Sequence, residues 1–235
     1  MPMTLSAAAT LDLWQSAEEL AEVERPLALA AAVAGEPIQE LARLPLGQRD
    51  ARVLELHAAL AGQTLEATAP CPTCGEAAEF AVGVDGLLAR ERVRATSEPV
   101  EIGGVVTWRP PNSLDVAAAA AAGGQAAAER VLLSRCVGGD KLTAGQRGAV
   151  AAAMADSDPL AEILVDVTCP ACETRFVADL DLGGFVWAEL RAQALRLLRG
   201  VDTLARAYGW TEAEVLALDE RRRIAYLELV REGAQ

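Results

Sequence analysis

Apolar residues recur at helical spacing in the first 62 residues of the chain. Val53, Leu56 and Leu60 follow one another at intervals of three and four, which places them on one side of a helix. Gly62 is placed to end that helix, since glycine tolerates the left-handed backbone found at helix ends. This pattern therefore predicts a helical segment in the N-terminal quarter of the chain.

The helical period returns near the C-terminus. In "FVWAELRAQALRLLRGVDTLARAYGW" (185–210) one apolar face continues over several turns, and Gly209 is placed to end it. Thr211 and Glu214 form a Thr-x-x-Glu capping box, which typically begins a helix. This pattern predicts a helical hairpin at the end of the chain.

A period of two replaces the helical period in the middle of the chain. "EFAVGVDGLL" (79–88), "VEIGGVVTWRP" (100–110) and "RFVADLDL" (175–182) alternate apolar with polar or small residues, which favours short strands. Helical patterns lie between the second and third of these runs. Residues 75–168 are therefore predicted to be an insertion, rich in strands at first and helical afterwards.

These periods predict an α+β fold that is mostly helical. We expect an N-terminal helical segment over 1–62 and a helical hairpin over 183–235. Between them, residues 63–182 should form a split, zinc-ribbon-like β module that contains the insertion.

Composition supports the helical prediction and narrows the classes of partner. Apolar residues make up 52% of the chain, but aromatics contribute only 4%, which favours helices over aromatic-rich sheets. The formal net charge is −13, and a surface of that sign repels a phosphate backbone. Nucleic acid is therefore not expected as a partner.

Neither a signal peptide nor a membrane span is predicted. The N-terminus lacks a basic segment followed by an apolar one, and the first charged residue is acidic, Asp12. The longest weakly polar stretch, "VAAAAAAGGQAAA" (116–128), is too short for a bilayer. We therefore expect folding in a reducing cytoplasm, where paired cysteines more often hold metal or do redox work than form disulfides.

Four of the five cysteines form two Cys-Pro-x-Cys motifs, "CPTC" and "CPAC". A turn of this kind directs both sulfurs to one point, and two facing turns supply the four-sulfur tetrahedron that zinc prefers. The sequence predicts a shared structural zinc site whose ligands are Cys71, Cys74, Cys169 and Cys172.

The long separation of the two motifs is compatible with this site. Between Cys74 and Cys169 lie 94 residues (169 − 74 − 1), against the usual 15–20 or so. About two extra doublings of loop length cost about 1.2 kcal/mol in closure entropy. A structural zinc contributes on the order of 10 kcal/mol or more, which outweighs that cost.

Two other interpretations of the paired cysteines stay open. One is a thioredoxin-like redox pair, although that motif begins a helix and both motifs here precede strand-like sequence. The other is two structural thiol pairs without metal. Cys136, in "VLLSRCV", is predicted to be a buried core thiol, and His57, the only histidine, to lie at the core edge or in solvent.

No enzyme activity is predicted. Four thiolates would fill the coordination sphere of zinc and leave no position for a reacting water. The chain contains no GxxxxGK[ST], GxSxG or HExxH motif. Asp179 and Asp181 are expected to be solvated on a strand, and Arg221, Arg222 and Arg223 to form an exposed helix face.

Several segments resemble one protein family over about residues 40–230. The most specific are the double CPxC motif and the Tyr-Gly-Trp-Thr sequence at 208–211. They are similar to zinc-knuckle proteins of extracellular contractile injection systems, which resemble phage tails, and to T4-type baseplate hub assembly proteins. The family often has glycine after the second CPxC, where this chain has Glu173, but this difference removes no ligand.

The resemblance implies a non-enzymatic structural or assembly protein of the baseplate or hub, with baseplate, hub or spike proteins as its partners. It implies a cytoplasmic location during assembly, after which the protein either stays in the particle or leaves as a chaperone. Two alternatives from the residues themselves are a zinc-ribbon adaptor on nucleic acid and a CxxC thiol-disulfide oxidoreductase.

Overall fold

A computed structural model describes residues 5–92, 100–101, 105–138 and 142–233. The chain forms two compact units, one of Met1–Leu20 with Val186–Gln235 and one of Ala21–Phe185. The boundaries of these two units differ from those of the three segments predicted from the sequence. The division into three segments stays a prediction. Residues in helices greatly outnumber residues in strands within the described part of the chain, which confirms a mostly helical α+β class.

Helices occur in both units, and the unit boundary falls within the longest of them, α9. The bounds are α1 Ala7–Glu18, α2 Arg25–Ala31, α3 Ile38–Leu41, α4 Leu46–Leu60, α5 Val84–Arg92, α6 Ser113–Ala120, α7 Gln125–Cys136, α8 Ala144–Ser157, α9 Leu182–Tyr208, α10 Glu212–Leu216 and α11 Glu220–Gly233.

The strands form antiparallel pairs of neighbours in the chain. Their bounds are β1 Thr64–Pro70, β2 Ala77–Gly83, β3 Val100–Glu101, β4 Val105–Val106, β5 Leu164–Thr168 and β6 Arg175–Asp179. In the two longer hairpins Ala67 pairs with Phe80 and Val167 pairs with Phe176. Each of these hairpins carries one CPxC motif at its tip.

The strand predictions inside the insertion and after it are only partly correct. The prediction over 79–88 is wrong in its second half, because β2 ends at Gly83 and α5 follows at once. Val84 and Leu87 are both buried, and their spacing of three puts them on one side of a helix. The prediction over 100–110 lies partly outside the described residues, and 175–182 is a strand only as far as Asp179.

The capping box predicted near the C-terminus is present. The Thr211 side chain accepts a hydrogen bond from the Glu214 backbone, and the Glu214 side chain accepts one from the Thr211 backbone. Gly209 has a φ of +71° and follows the last residue of α9, as expected for a glycine helix stop. The predicted helix end at Gly209 and the predicted helix start at Thr211 are therefore confirmed.

An internal repeat organises much of the Ala21–Phe185 unit. Helices α4 and α8, the first cysteine of each motif, and helices α5 and α9 all begin at positions 98 residues apart (169 − 71). The letters of Leu44, Gly47–Gln48–Arg49 and Ala51 recur at the same offset in Leu142, Gly145–Gln146–Arg147 and Ala149. The two cysteine hairpins are thus corresponding parts of two helix–hairpin–helix segments.

Each unit has its own apolar core. In the Ala21–Phe185 unit α2 packs on α4, where Leu29, Leu54 and Leu56 are fully buried. In the other unit Leu11 of α1 packs with Ala194 and Leu197 of α9, and a second cluster joins α9 to α10 and α11. Among the described helices, none has both the length and the apolar character needed to cross a membrane.

Candidate metal centre

The two cysteine turns have the same backbone hydrogen bonds. In the first, the Cys71 N–H donates to the Glu76 carbonyl at 2.8 Å and the Gly75 N–H donates to the Cys71 carbonyl at 2.9 Å. In the second, the Cys169 N–H donates to Thr174 at 2.9 Å and the Glu173 N–H donates to Cys169 at 3.0 Å. These hydrogen bonds fix the backbone of each turn between its two strands, and the two sulfurs of a turn lie on the same side of that turn.

The four sulfur atoms of the two turns converge on one point. The Sγ atoms of Cys71, Cys74, Cys169 and Cys172 all lie within 4.8 Å of one another. Across the hairpins, Cys71 Sγ is 3.6 Å from Cys172 Sγ, and Cys74 Sγ is 3.6 Å from Cys169 Sγ. The structure thus brings together all four predicted ligands, two from each hairpin.

The sulfur spacing fits a tetrahedral metal ion. With metal–sulfur bonds of about 2.3 Å, the edge of a regular sulfur tetrahedron is about 3.8 Å. The two cross-hairpin distances of 3.6 Å are close to this edge. They are far longer than a disulfide bond, which is about 2.0 Å. The four cysteines could hold a metal ion, and they are free thiols in this structure.

Exposure differs within each pair in the same way. Cys71 and Cys169, the first cysteine of each turn, are 3% and 1% exposed, whereas Cys74 and Cys172 lie at the surface. One side of the sulfur cluster therefore faces protein and the other faces solvent.

The surroundings shift the pKa values of the thiols in different directions. The Cys74 and Thr73 backbones lower the pKa of Cys71, and the Thr174 hydroxyl and backbone lower the pKa of Cys172 to about 6. The Glu76 backbone acts to lower the pKa of Cys74, but the neighbouring thiols of Cys172 and Cys169 raise it to about 12. Because a metal binds thiolates, binding must release the proton held at Cys74.

The hairpins also contact each other through an apolar cluster behind the sulfurs. Ala78, Val167 and Ala178 are buried there, and Phe80 and Phe176 pack against them. The order of large and small residues is opposite in the two copies, Ala78 then Phe80 in β2 but Phe176 then Ala178 in β6. This opposite order lets a large side chain in one hairpin meet a small one in the other.

His57 does not join the sulfur cluster. Its ring is fully buried, against the prediction of a position at the core edge or in solvent. Nε2 lies 3.2 Å from the Thr64 carbonyl oxygen, and the ring packs against Phe185 at a centroid distance of 5.9 Å. The backbone carbonyl satisfies the ring nitrogen, which allows a polar ring to sit inside the core.

The charged residues considered from the sequence differ in their exposure. Asp179 and Asp181 are exposed, and Asp181 accepts a hydrogen bond from Gly184 N–H at the start of α9. Arg221 and Arg222 are exposed on α11, whereas Arg223 is half-buried and donates to the Leu218 carbonyl at 3.2 Å. The expected exposed arginine face is present in two of its three members.

A buried ion-pair network in the insertion has no counterpart among the sequence predictions. Asp115 is fully buried and accepts hydrogen bonds from the Asn112 backbone N–H and from the side chains of Arg109 and Arg135. Cys136, which is buried as predicted, lies with its Sγ 3.6 Å from Asp115, and burial together with that carboxylate raises the pKa of Cys136 to about 11. The thiol therefore stays protonated, as suits a core position.

The four cysteines of the cluster are positioned to hold a metal ion through sulfur. Four thiolates complete a tetrahedral coordination sphere, so a bound ion would keep no open position for substrate. A metal ion bound there would join the two hairpins. In comparisons with known proteins, no family model, no curated protein and no solved structure matches this chain.

Proposed function

We propose that the four cysteines bind a structural zinc ion that clamps a split zinc-ribbon-like module. The proposal is carried by the convergence of four sulfurs from two hairpin tips with near-tetrahedral spacing. Zinc suits an all-sulfur tetrahedron, as does iron, and a closed coordination sphere suits a structural role. The clamp would fix the point at which the insertion leaves the module and the point at which it returns.

We further propose that the protein acts without enzymatic activity in the baseplate or hub of a contractile, phage-tail-like injection system. Support comes from the resemblance carried by the double CPxC motif and by the Tyr-Gly-Trp-Thr turn. In that turn Tyr208 stacks on Trp210 at 4.8 Å, and both rings contact Tyr226 of α11. The rings hold the C-terminal hairpin in one shape, as a docking element requires.

Metal analysis of the purified protein tests the zinc proposal. We expect one zinc per chain, bound without visible absorbance, and less than half of that in Cys169→Ser. Cys136→Ala is the matched control, since Cys136 lies outside the sulfur cluster and its loss should leave the zinc content unchanged. A colourless preparation free of metal, or visible absorbance from bound iron, would refute zinc as the native ion.

Affinity purification tests the baseplate role. A tagged chain expressed with its whole gene cluster should recover baseplate, hub or spike subunits from lysate or particles. Ile224 and Leu229 are large apolar residues about half exposed on α11, so Ile224→Glu with Leu229→Glu should reduce this recovery without unfolding the chain. Recovery of no such subunit by the native chain from either fraction would count against the role.

A further inference from the structure

A groove lined by carboxylates lies in the Ala21–Phe185 unit, outside the metal centre. Its volume is about 830 Å³, and its lining contains no lysine, arginine or histidine. Its charged side chains are Glu66, Glu79, Asp179 and Asp181, and its large apolar side chains are Phe80, Leu180 and Phe185. Apolar side chains beside unneutralised carboxylates fit a partner surface that is both apolar and basic.

Such a surface lies on α9, in the other unit. Arg191, Arg196 and Arg199 are exposed there, in a chain whose net charge is −13. Ala188, Ala192 and Leu195 lie between them at helical spacing, so the arginines surround a narrow strip of small and apolar residues. Arg191 reaches Glu18 only at 3.9 Å, and no ion pair joins Arg196 or Arg199 to a described residue.

We propose that this basic face of α9 docks onto the acidic groove of a second copy of the chain. Three arginines would meet four carboxylates, and apolar side chains lie on both surfaces. A symmetric contact of either surface with itself is disfavoured, because like charges would face each other across it. The charges therefore select a contact between two different surfaces.

In a dimer held by such a contact, one basic α9 face and one acidic groove stay free, one on each copy. Further copies add until the rotation between neighbours closes a ring, or continue as a filament. This self-association goes beyond the proposed baseplate role and does not depend on it. It also leaves the four cysteines out of the interface, so the metal content should not change with assembly.

Sedimentation of the full chain with charge-reversal variants tests the proposal. We expect the native protein to exceed its monomer mass of 24.6 kDa at low salt. It should dissociate when ionic strength rises from about 0.05 M to about 0.5 M, because exposed charge pairs are screened. R196E/R199E and E66K/E79K should each weaken association about tenfold or more.

Mixing one neutral variant of each surface gives the decisive measurement. R196Q/R199Q keeps an intact groove and E66Q/E79Q keeps an intact α9 face, so an equimolar mixture should form a 1:1 dimer that grows no further. The charge-reversed pair is not mixed, because its acidic α9 face and basic groove would attract each other at the ends of the dimer. Two controls with the same charge changes elsewhere, R221E/R222E and E22K/E40K, should associate like the native chain, since all four residues are exposed outside both surfaces.

Circular dichroism and metal content establish that each variant is folded, and the glutamine forms of the same positions replace any variant that is not. A native protein that stays monomeric at low salt overturns the proposal. This also holds if the α9 face of the monomer binds a nucleic acid. Association that survives both reversals, or a mixture that fails to form the dimer, overturns it as well.

Discussion

The two cysteine turns have the same hydrogen bonds but different residues where the backbone becomes left-handed. Gly75 has a φ of +77° in the first turn, and Glu173 has a φ of +57° in the second. Glu173 is the one non-glycine residue with positive φ among those the structure describes. Glycine adopts this conformation freely, whereas an L side chain there costs about 1–2 kcal/mol. The geometry of the turn is therefore imposed by the motif, even where the local residue opposes it.

Loss of one ligand should have the largest effect and should affect both turns alike. C71S and C169S each leave three sulfurs, and a structural metal site of this kind contributes most of its binding free energy to folding. We expect both to lose about 3 kcal/mol or more in the free energy of unfolding, measured by urea denaturation at neutral pH. A variant that keeps its full stability would show that its turn does not share the ion.

A pH-dependent difference between the copies should rank second. Asp50 in the first copy corresponds to Gly148 in the second, and burial raises the pKa of Asp50 to about 6, despite an opposing ion pair with Arg49. The folded state thus holds the proton on Asp50 more tightly, so the contribution of Asp50 to stability is greatest below about pH 4 and is lost as pH rises through 6.

The loss attributable to Asp50 should reach no more than about 3 kcal/mol, the free-energy equivalent of a shift of about two pKa units. We expect D50N to be less sensitive to pH than the native chain between about pH 4 and pH 7 in denaturation curves. The control is D12N, at an exposed position, which should follow the native curve. Parallel curves for D50N and native protein would contradict the assignment.

The opposite order of large and small residues in the hairpins predicts equal effects of truncation. Phe80 and Phe176 are both half-buried against the same apolar cluster. F80A and F176A should each cost about 2 kcal/mol of unfolding free energy, because each exposes a comparable apolar surface. A cost confined to one of them, measured by thermal or urea unfolding, would show that the hairpins do not share this core.

The smallest effect should come from the left-handed residue itself. E173G should gain about 0.5–1 kcal/mol, because the relief of the left-handed conformation exceeds the entropy cost of glycine. G75A should lose stability for the converse reason, although open space surrounds its position for a Cβ atom. Urea midpoints of the metal-loaded variants provide the measurement, and a stabilised G75A would contradict the comparison.

The cysteine hairpins and the C-terminal turn could be predicted because their signals are local. Each CPxC motif is followed by residues of period two, and Thr211 and Glu214 form a capping box within four residues. The start of α5 was missed because Gly83 and Gly86 interrupt the apolar pattern of Val84 and Leu87.

The pairing of Asp115 with Arg135 could not be predicted, because no local spacing marks it, whereas the capping box that Asp115 forms with Asn112 is a local signal. Arg135 lies 20 residues from Asp115 in the chain, and only folding brings both arginines to the same buried carboxylate. The internal repeat, by contrast, was visible in the letters Gly-Gln-Arg at 47–49 and 145–147. A comparison of the chain with itself would have found it.

The presence of both cysteine hairpins in one chain has a consequence for how strongly the ion is held. A single hairpin offers two thiolates, so two separate hairpins would have to associate to form a four-sulfur site. That association would depend on the concentration of the hairpins. Joining both hairpins in one chain replaces that dependence with a fixed local concentration, typically on the order of millimolar for flexible tethers. Metal capture by this protein should thus be insensitive to how much of it a cell makes.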